Sequence, residues 1–251
     1  MIAAKTVTEQ PKLAGTIYTA AKECEALGAK VLAIQCDIRD EKSVEAAIAK
    51  TVETFGGLDI LVNNASALQN TPVEDMEVKR FDLIQGINSR GTFVSSKYAI
   101  PHLRKSKNAH ILTISPPLYM GNDPQVNWFA RLGTGYVLGK FGMTLVSHGL
   151  AGELRQDNIA CNTLWPRTGI QTAAIENLLG GKEAMASSRK PEIMADAAHV
   201  ILTSRSDLTT DNFYIDDEVL ISTGLNLGDI DRLYKPDPST PNHTLMPDFM
   251  M

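Results

Sequence analysis

Tyr136 and Lys140 stand four residues apart in the run Tyr136-Val137-Leu138-Gly139-Lys140. On a helix this spacing places both side chains on one face, so the lysine ammonium can lie beside the phenol. A neighbouring positive charge favours the phenolate and draws a tyrosine pKa down from about 10 toward neutrality. The pair is therefore a candidate general acid or base. The same spacing recurs in Tyr18-Thr19-Ala20-Ala21-Lys22. Spacing alone does not choose between a catalytic pair and a surface pair; the choice depends on which helix faces the ligand-binding edge of the fold.

The elements that would position these residues follow from periodicity. Ile2 to Ala4 reads as the tail of a strand, followed by a Pro-containing loop and a helix from about Ala14 to Leu27 that Gly28 stops. Val31 to Cys36 is a compact apolar run, a buried strand ending at Asp37. Val44, Ala47, Ile48, Val52 and Phe55 recur at helical spacing, predicting a helix from Glu41 to Phe55 closed by Gly56 and Gly57. The strand Leu58 to Val62 runs into the polar loop Asn63-Asn64-Ala65-Ser66. One long helical region from about Lys79 to Lys105 precedes a strand from Ala109 to Ile114, which Ser115-Pro116-Pro117 ends. A loop through Trp128 leads to the helix of Tyr136 and Lys140, extending to about Arg155. A strand from Ile159 to Leu164 stops at Pro166, a helix covers Glu192 to Thr203, and a last strand covers Phe213 to Ile215.

Strands alternating with helices of ten or more residues predict a single α/β domain, a doubly wound parallel sheet covered on both faces, over residues 1–228. Residues 229–251 read as a polar, Pro-containing tail. In such sheets ligands sit at the carboxyl ends of the strands. That rule gathers Asp37, the loop from Asn63 to Ser66, Ser115 and the segment from Pro166 to Thr172 into one crevice. The helix of Tyr136 follows the strand ending at Ser115 and joins this set. The helix of Tyr18 precedes the Asp37 strand and belongs on the outer layer.

Composition narrows the function classes. Hydrophobic residues make up 43% of the 251, enough for a sizeable core. The net charge of −5 has no block of like charge behind it, which argues against nucleic acid and for small or neutral partners. No apolar run approaches the roughly 20 residues that span a membrane. The first residues lack a signal peptide's charged and apolar regions. Cys24, Cys36 and Cys161 are far apart, and the five histidines are scattered without metal-type spacing, so no metal site is expected. A soluble intracellular protein, cytoplasmic by default, is the expectation.

In order along the chain, NNAS at Asn63 to Ser66, INSRG at Ile87 to Gly91, ILTIS at Ile111 to Ser115, YVLGK at Tyr136 to Lys140 and WPRTGIQT at Trp165 to Thr172 resemble the short-chain dehydrogenase/reductase family. Within it the likeness narrows to the hydroxysteroid dehydrogenase-like group, through AAKT, PKLAGTIYTAA, HILTISPPL and NTLWPRT, and covers nearly the whole chain. The resemblance implies a Rossmann-like fold and hydride transfer between a nicotinamide cofactor and a small-molecule hydroxyl or carbonyl compound, lipid-derived compounds among the candidates. It implies that Tyr136 exchanges a proton with the substrate oxygen and that Lys140 lowers its pKa and bonds the nicotinamide ribose. Asn88 matches an Asn that holds a water in the proton relay, the other reading being a helix-interior Asn bonding backbone. Asp37 matches an adenine contact, or is a plain turn aspartate. Asn63 and Ala65 match the loop passing the adenine ribose, and Ile170 and Thr172 the segment over the nicotinamide amide, with plain turns as the alternative. A homo-oligomer formed through helix–helix contacts is implied as well.

Cofactor choice rests on the end of the family's second strand, where a carboxylate suits NAD and a basic residue suits NADP. Here the matching place reads Ala3-Ala4-Lys5-Thr6. Lys5 could meet a phosphate, so NADP is expected over NAD, a solvated lysine being the alternative.

Three departures from the family pattern stand out. The TGxxxGxG turn that holds the diphosphate between the first strand and first helix has no counterpart, and the chain begins within the family's second strand. A strand with its crossover helix takes about 30 residues, so a truncated chain is expected, with unpaired backbone at the centre of the sheet. That leaves open a catalytically inactive relative acting in binding or oligomeric assembly. Next, Pro116 stands where a second hydroxyl residue is usual, so Ser115 supplies the catalytic hydroxyl or nothing does; the long loop after it carries Trp128 and Phe129, which could cover an apolar substrate or anchor the loop. Finally, Arg167 replaces the Gly that usually follows Pro166, and could greet a phosphate or an acyl-CoA or point to solvent.

Overall fold

The computed structural model describes residues 1–10, 15–118, 132–237 and 245–247. Trp128 and Phe129 lie outside the described residues. β1 (Ile2–Ala4) and β2 (Ala33–Gln35) pair in parallel. A second parallel sheet runs in the order β3 (Ile60–Asn63), β4 (Ala109–Ile114), β5 (Ile159–Trp165), β6 (Phe213–Ile215). Helices make the crossovers: α1 (Ile17–Ala26) joins β1 to β2 and α2 (Glu41–Phe55) joins β2 to β3. Next come α3 (Val78–Ile87) and α4 (Ser89–Leu103) before β4, α5 (Thr134–Glu153) before β5, and α6 (Gly181–Ala186) and α7 (Glu192–Thr203) before β6. The described helices end with α8 (Asp216–Ser222) and α9 (Leu227–Tyr234).

Parallel strands buried on both faces read as continuous apolar runs, and all seven residues of β5 are buried. Successive side chains of β4 point to opposite faces. Ile111 joins a core with Val44, Ile48, Val94, Leu103 and Leu150, while Leu112 joins one with Leu164, Ile193, Ile201, Leu220 and Ile230. The sheet is thus covered on both sides, as the alternation of elements predicts. It is also interrupted. Among the described residues β1 pairs with β2 alone and β3 with β4 alone, and on β3 Ile60 and Val62 are 40% and 45% exposed. What spans the interruption is side-chain packing, since Cys36, Val44 and Ile48 share the Ile111 core.

Two expectations are corrected. The single helical region from Lys79 to Lys105 is two helices, broken at Asn88, whose φ of −72° and ψ of −81° leave the helical basin. The polar tail does not begin at residue 229: Asp229 caps α9, accepting a bond from the Asn226 N–H while the Asn226 side chain accepts from the Asp229 N–H. Ile230 and Tyr234 bury their side chains from this helix.

Parallel register aligns the carboxyl ends of the larger sheet. Asn63 lies level with Thr113, Ile114 with Leu164, and Trp165 with Ile215. The residues that follow, Asn64, Ser115, Pro166 and Asp216, therefore leave the sheet at one end, the end from which α5 presents Tyr136.

Candidate active site

α5 carries Tyr136 and Lys140 one turn apart, both buried. The Lys140 Nζ donates to the Ile114 carbonyl at 2.8 Å and stands 5.1 Å from the centre of the Trp165 ring, a cation–π contact. One turn further, the Thr144 hydroxyl donates to the Pro116 carbonyl at 2.7 Å. α5 thus grips the segment leaving β4 on both sides of Ser115. Ser115 is itself fully buried, and its Oγ has no hydrogen-bond partner among the described residues. Tyr18 and Lys22, the alternative pair, are exposed on α1, Tyr18 at 50%.

The close fit of α5 depends on Gly139. A Cβ there would stand 3.0 Å from the Asn88 Nδ2 and 3.1 Å from the Ile84 Cγ2, so a larger residue would have to push α5 or these side chains back from the junction of α3 and α4. Asn88 is fully buried at that junction, its Oδ1 accepting from the Ala67 N–H at 2.7 Å and its Nδ2 donating to the Ala67 carbonyl at 3.2 Å. Both halves of its amide therefore clamp the loop after β3. Asn63 is buried at the start of that loop and donates to the Ser96 hydroxyl of α4 at 3.3 Å, while Ala65 is exposed.

Tyr136 also lines a cavity of about 140 Å³. Its other walls are Leu68, Leu132, Trp165, Pro166, Ile170, Thr172, Ala174, Ile175 and Met246. Among the described residues no charged side chain takes part. The structure thus brings Tyr136, Ile170 and Thr172 to one cavity, with Lys140, Ser115 and Asn88 packed around the same stretch of α5 and not on its wall. Trp165, Leu68 and Met246 were not singled out from sequence. Trp165 sits visibly at a strand end, but nothing local in the sequence ties residue 246 to residue 169.

Lys5 and Asp37 form a different group at the end of the smaller sheet. Asp37 accepts from the Arg39 Nε at 2.9 Å, from the Arg39 guanidinium Nη2 and from the Arg39 backbone N–H, and Lys5 Nζ lies 3.6 Å away. The hydrogen bonds from Arg39 hold the Asp37 carboxyl well below the usual carboxylate range. The Asp37 carboxylate thus stands between two cations, Arg39 and Lys5. Arg39 was not anticipated.

Arg167 meets neither expectation held for it. Its Nε donates to both carboxylate oxygens of Asp217, at 2.8 and 2.9 Å, its Nη2 pairs with Glu218, and its backbone N–H donates to the Asp216 Oδ1 at 2.9 Å. The side chain turns away to the start of α8 because two carboxylates there outweigh solvent. Among the described residues no group of His, Cys, Asp or Glu could hold a metal ion, and no helix is long and apolar enough to cross a membrane. Burial pushes the Cys161 thiol up to about 12, which removes it as a nucleophile at neutral pH.

Comparison with known proteins places this geometry. The short chain dehydrogenase family model matches residues 6–180. Hydroxysteroid dehydrogenase-like protein 2 of Xenopus laevis is 47% identical over all 251 residues, and that of Homo sapiens 45%; the chain spans 57% of the length of each. The crystal structure of a short chain dehydrogenase from Mycobacterium thermoresistibile is 48% identical with a TM-score of 0.87, over 99% of this chain and 84% of that one.

Proposed function

Because this chain belongs to the short-chain dehydrogenase family of nicotinamide-dependent oxidoreductases, we propose that it interconverts an uncharged hydroxyl and carbonyl compound with Tyr136 moving the proton. The observation that carries this reading is the placement of Tyr136 on the wall of an apolar cavity with the Lys140 ammonium anchored one turn away. In the reducing direction the Tyr136 phenol donates its proton to the substrate oxygen as the carbonyl carbon accepts hydride. The Lys140 charge favours the phenolate left behind, and in the oxidising direction that phenolate takes the hydroxyl proton. The hydroxyl of Ser115, behind the cavity wall and without a partner among the described residues, is the group assigned to reach the substrate oxygen, and Asn88 clamps the loop after β3.

A nicotinamide cofactor, when bound, would supply or remove the hydride. Its nicotinamide–ribose end suits the Lys140 ammonium and the loop after β5 that carries Ile170 and Thr172, both beside the Tyr136 cavity. Asn63, Ala65 and Asp37 would lie along its adenosine. NADP is preferred over NAD because Lys5 and Arg39 outnumber the one carboxylate between them; the exposed Lys5–Asp37 pair is weak enough to yield to a phosphate. Exposed Phe93 on α4 and Leu138 and Leu145 on α5 support a homo-oligomer.

A second reading, a non-catalytic partner in binding or assembly, is favoured by one observation. No glycine-rich strand-to-helix turn that would cradle a diphosphate is found among the described residues. Fluorescence titration with NADPH and NADH decides between the two, followed by turnover of aldehydes and ketones. The expected result is binding of NADPH at least tenfold tighter than NADH, and a Tyr136→Phe variant that keeps this binding while kcat falls about 10²- to 10⁴-fold. Intact turnover in the variant would reject the proton-transfer role. Absence of NADPH binding by the wild-type chain would favour the second reading.

A further inference from the structure

Residues 245–247 lie against the loop that follows β5. The Gly169 N–H donates to the Met246 carbonyl at 2.7 Å, the Met246 N–H donates to the Ser187 carbonyl at 2.7 Å, and Thr168 and Pro247 form an antiparallel bridge. The contact is close: a Cβ at Gly169 would lie 2.5 Å from the Met246 Cε and 2.6 Å from the Ser188 Oγ, so any larger residue there would have to shift both side chains. These bonds fix the backbone of the strap and leave the Met246 side chain on the cavity wall with Ile170 and Ile175.

The cavity that results, about 140 Å³, is smaller than the roughly 300–1,000 Å³ usual for drug-sized ligands. Methionine is unbranched, flexible and polarizable, suited to filling an irregular apolar gap and to moving aside. We propose that Met246 determines specificity: its thioether closes one side of the cavity and sets the chain length of an uncharged aliphatic substrate. A short chain fits beside Tyr136 with Met246 in place, whereas a longer one must displace it. This inference rests on the reading that the Tyr136 cavity receives the substrate.

The test uses unreactive straight-chain amides from butanamide to decanamide, titrated by calorimetry into the full chain. Each further buried methylene tightens binding about fourfold. In the wild type this gain stops where the chain meets Met246. In Met246→Ala it continues, so decanamide binds at least tenfold tighter than to the wild type while butanamide changes less than twofold. Met246→Leu, which keeps the volume, restores the plateau. An equal change at every chain length, an unchanged profile, or no amide bound by either protein would overturn the proposal. The two ideas fail separately: the expected profile without carbonyl turnover sinks the oxidoreductase reading alone, and turnover with an unchanged profile sinks the chain-length role alone.

Discussion

Leaving a buried hydroxyl without a partner costs about 1–3 kcal/mol, and Ser115, at the end of β4, has none among the described residues. A residue retained only for packing would be better served by alanine. Ser115→Ala is therefore expected to leave the melting temperature unchanged or to raise it, while kcat for carbonyl reduction falls at least tenfold. A lower melting temperature with unchanged kcat would assign Ser115 to the fold and not to the substrate. The placement of such residues was legible from type and order: Tyr136 separates from Tyr18 because its helix follows the Ser115 strand, and Tyr136 is buried while Tyr18 is exposed. Environments set from far along the chain were not legible. Arg167 looked free to meet a ligand, yet its partners Asp217 and Glu218 lie about fifty residues away.

Elements with a strong period were legible for the same physical reason that they form, a continuous buried face. α2 and α7 keep the bounds their apolar spacing predicts. The break between α3 and α4 was not, because what holds Asn88 out of the helix is Ala67 on another segment. α9 did carry a local signal, the capping pair Asn226 and Asp229, hidden in a stretch that composition marked as polar. The α5 contact with this break gives a second test. In Gly139→Ala, better helix propensity contributes about 1 kcal/mol in favour, but the new Cβ meets Asn88 and Ile84 closer than ordinary contact. Overpacking of this kind costs typically 1–3 kcal/mol. A net loss of roughly 1 kcal/mol is expected, read as a lower urea midpoint with an unchanged m-value. An unchanged or higher midpoint would mean that the helices can part without penalty.

At the scale of the molecule, one network of charge gathers the chain's second half. Arg167 after β5, Arg189 before α7, Asp216 and Asp217 at the head of α8, and Asp231 and Lys235 around α9 meet in it. Asp216 is fully buried within it, its Oδ1 accepting from the Arg167 and Asp217 N–H groups and its Oδ2 without a partner among the described residues. Burial, against which the two N–H donors work only in part, raises its pKa from the ordinary 3.8 to about 6. The raised value fixes the sign. The folded chain holds this proton more tightly than the unfolded one, so the contribution to stability is complete below about pH 4 and is lost as pH rises through about 6. Asp216→Asn keeps the Oδ1 acceptor and replaces the partnerless oxygen with a group that does not ionise. At pH 4 the two proteins should be close to equally stable; at pH 7.5 the variant should be more stable by on the order of 3 kcal/mol. Carboxylates of the opposite sign, such as Asp37, lose their contribution on acidification equally in both proteins and cancel in the difference. Urea denaturation at the two pH values measures it. A variant less stable at pH 7.5, or a difference that does not change with pH, would show that Asp216 is held ionised by Arg189 and that the network is an ion-pair cluster throughout.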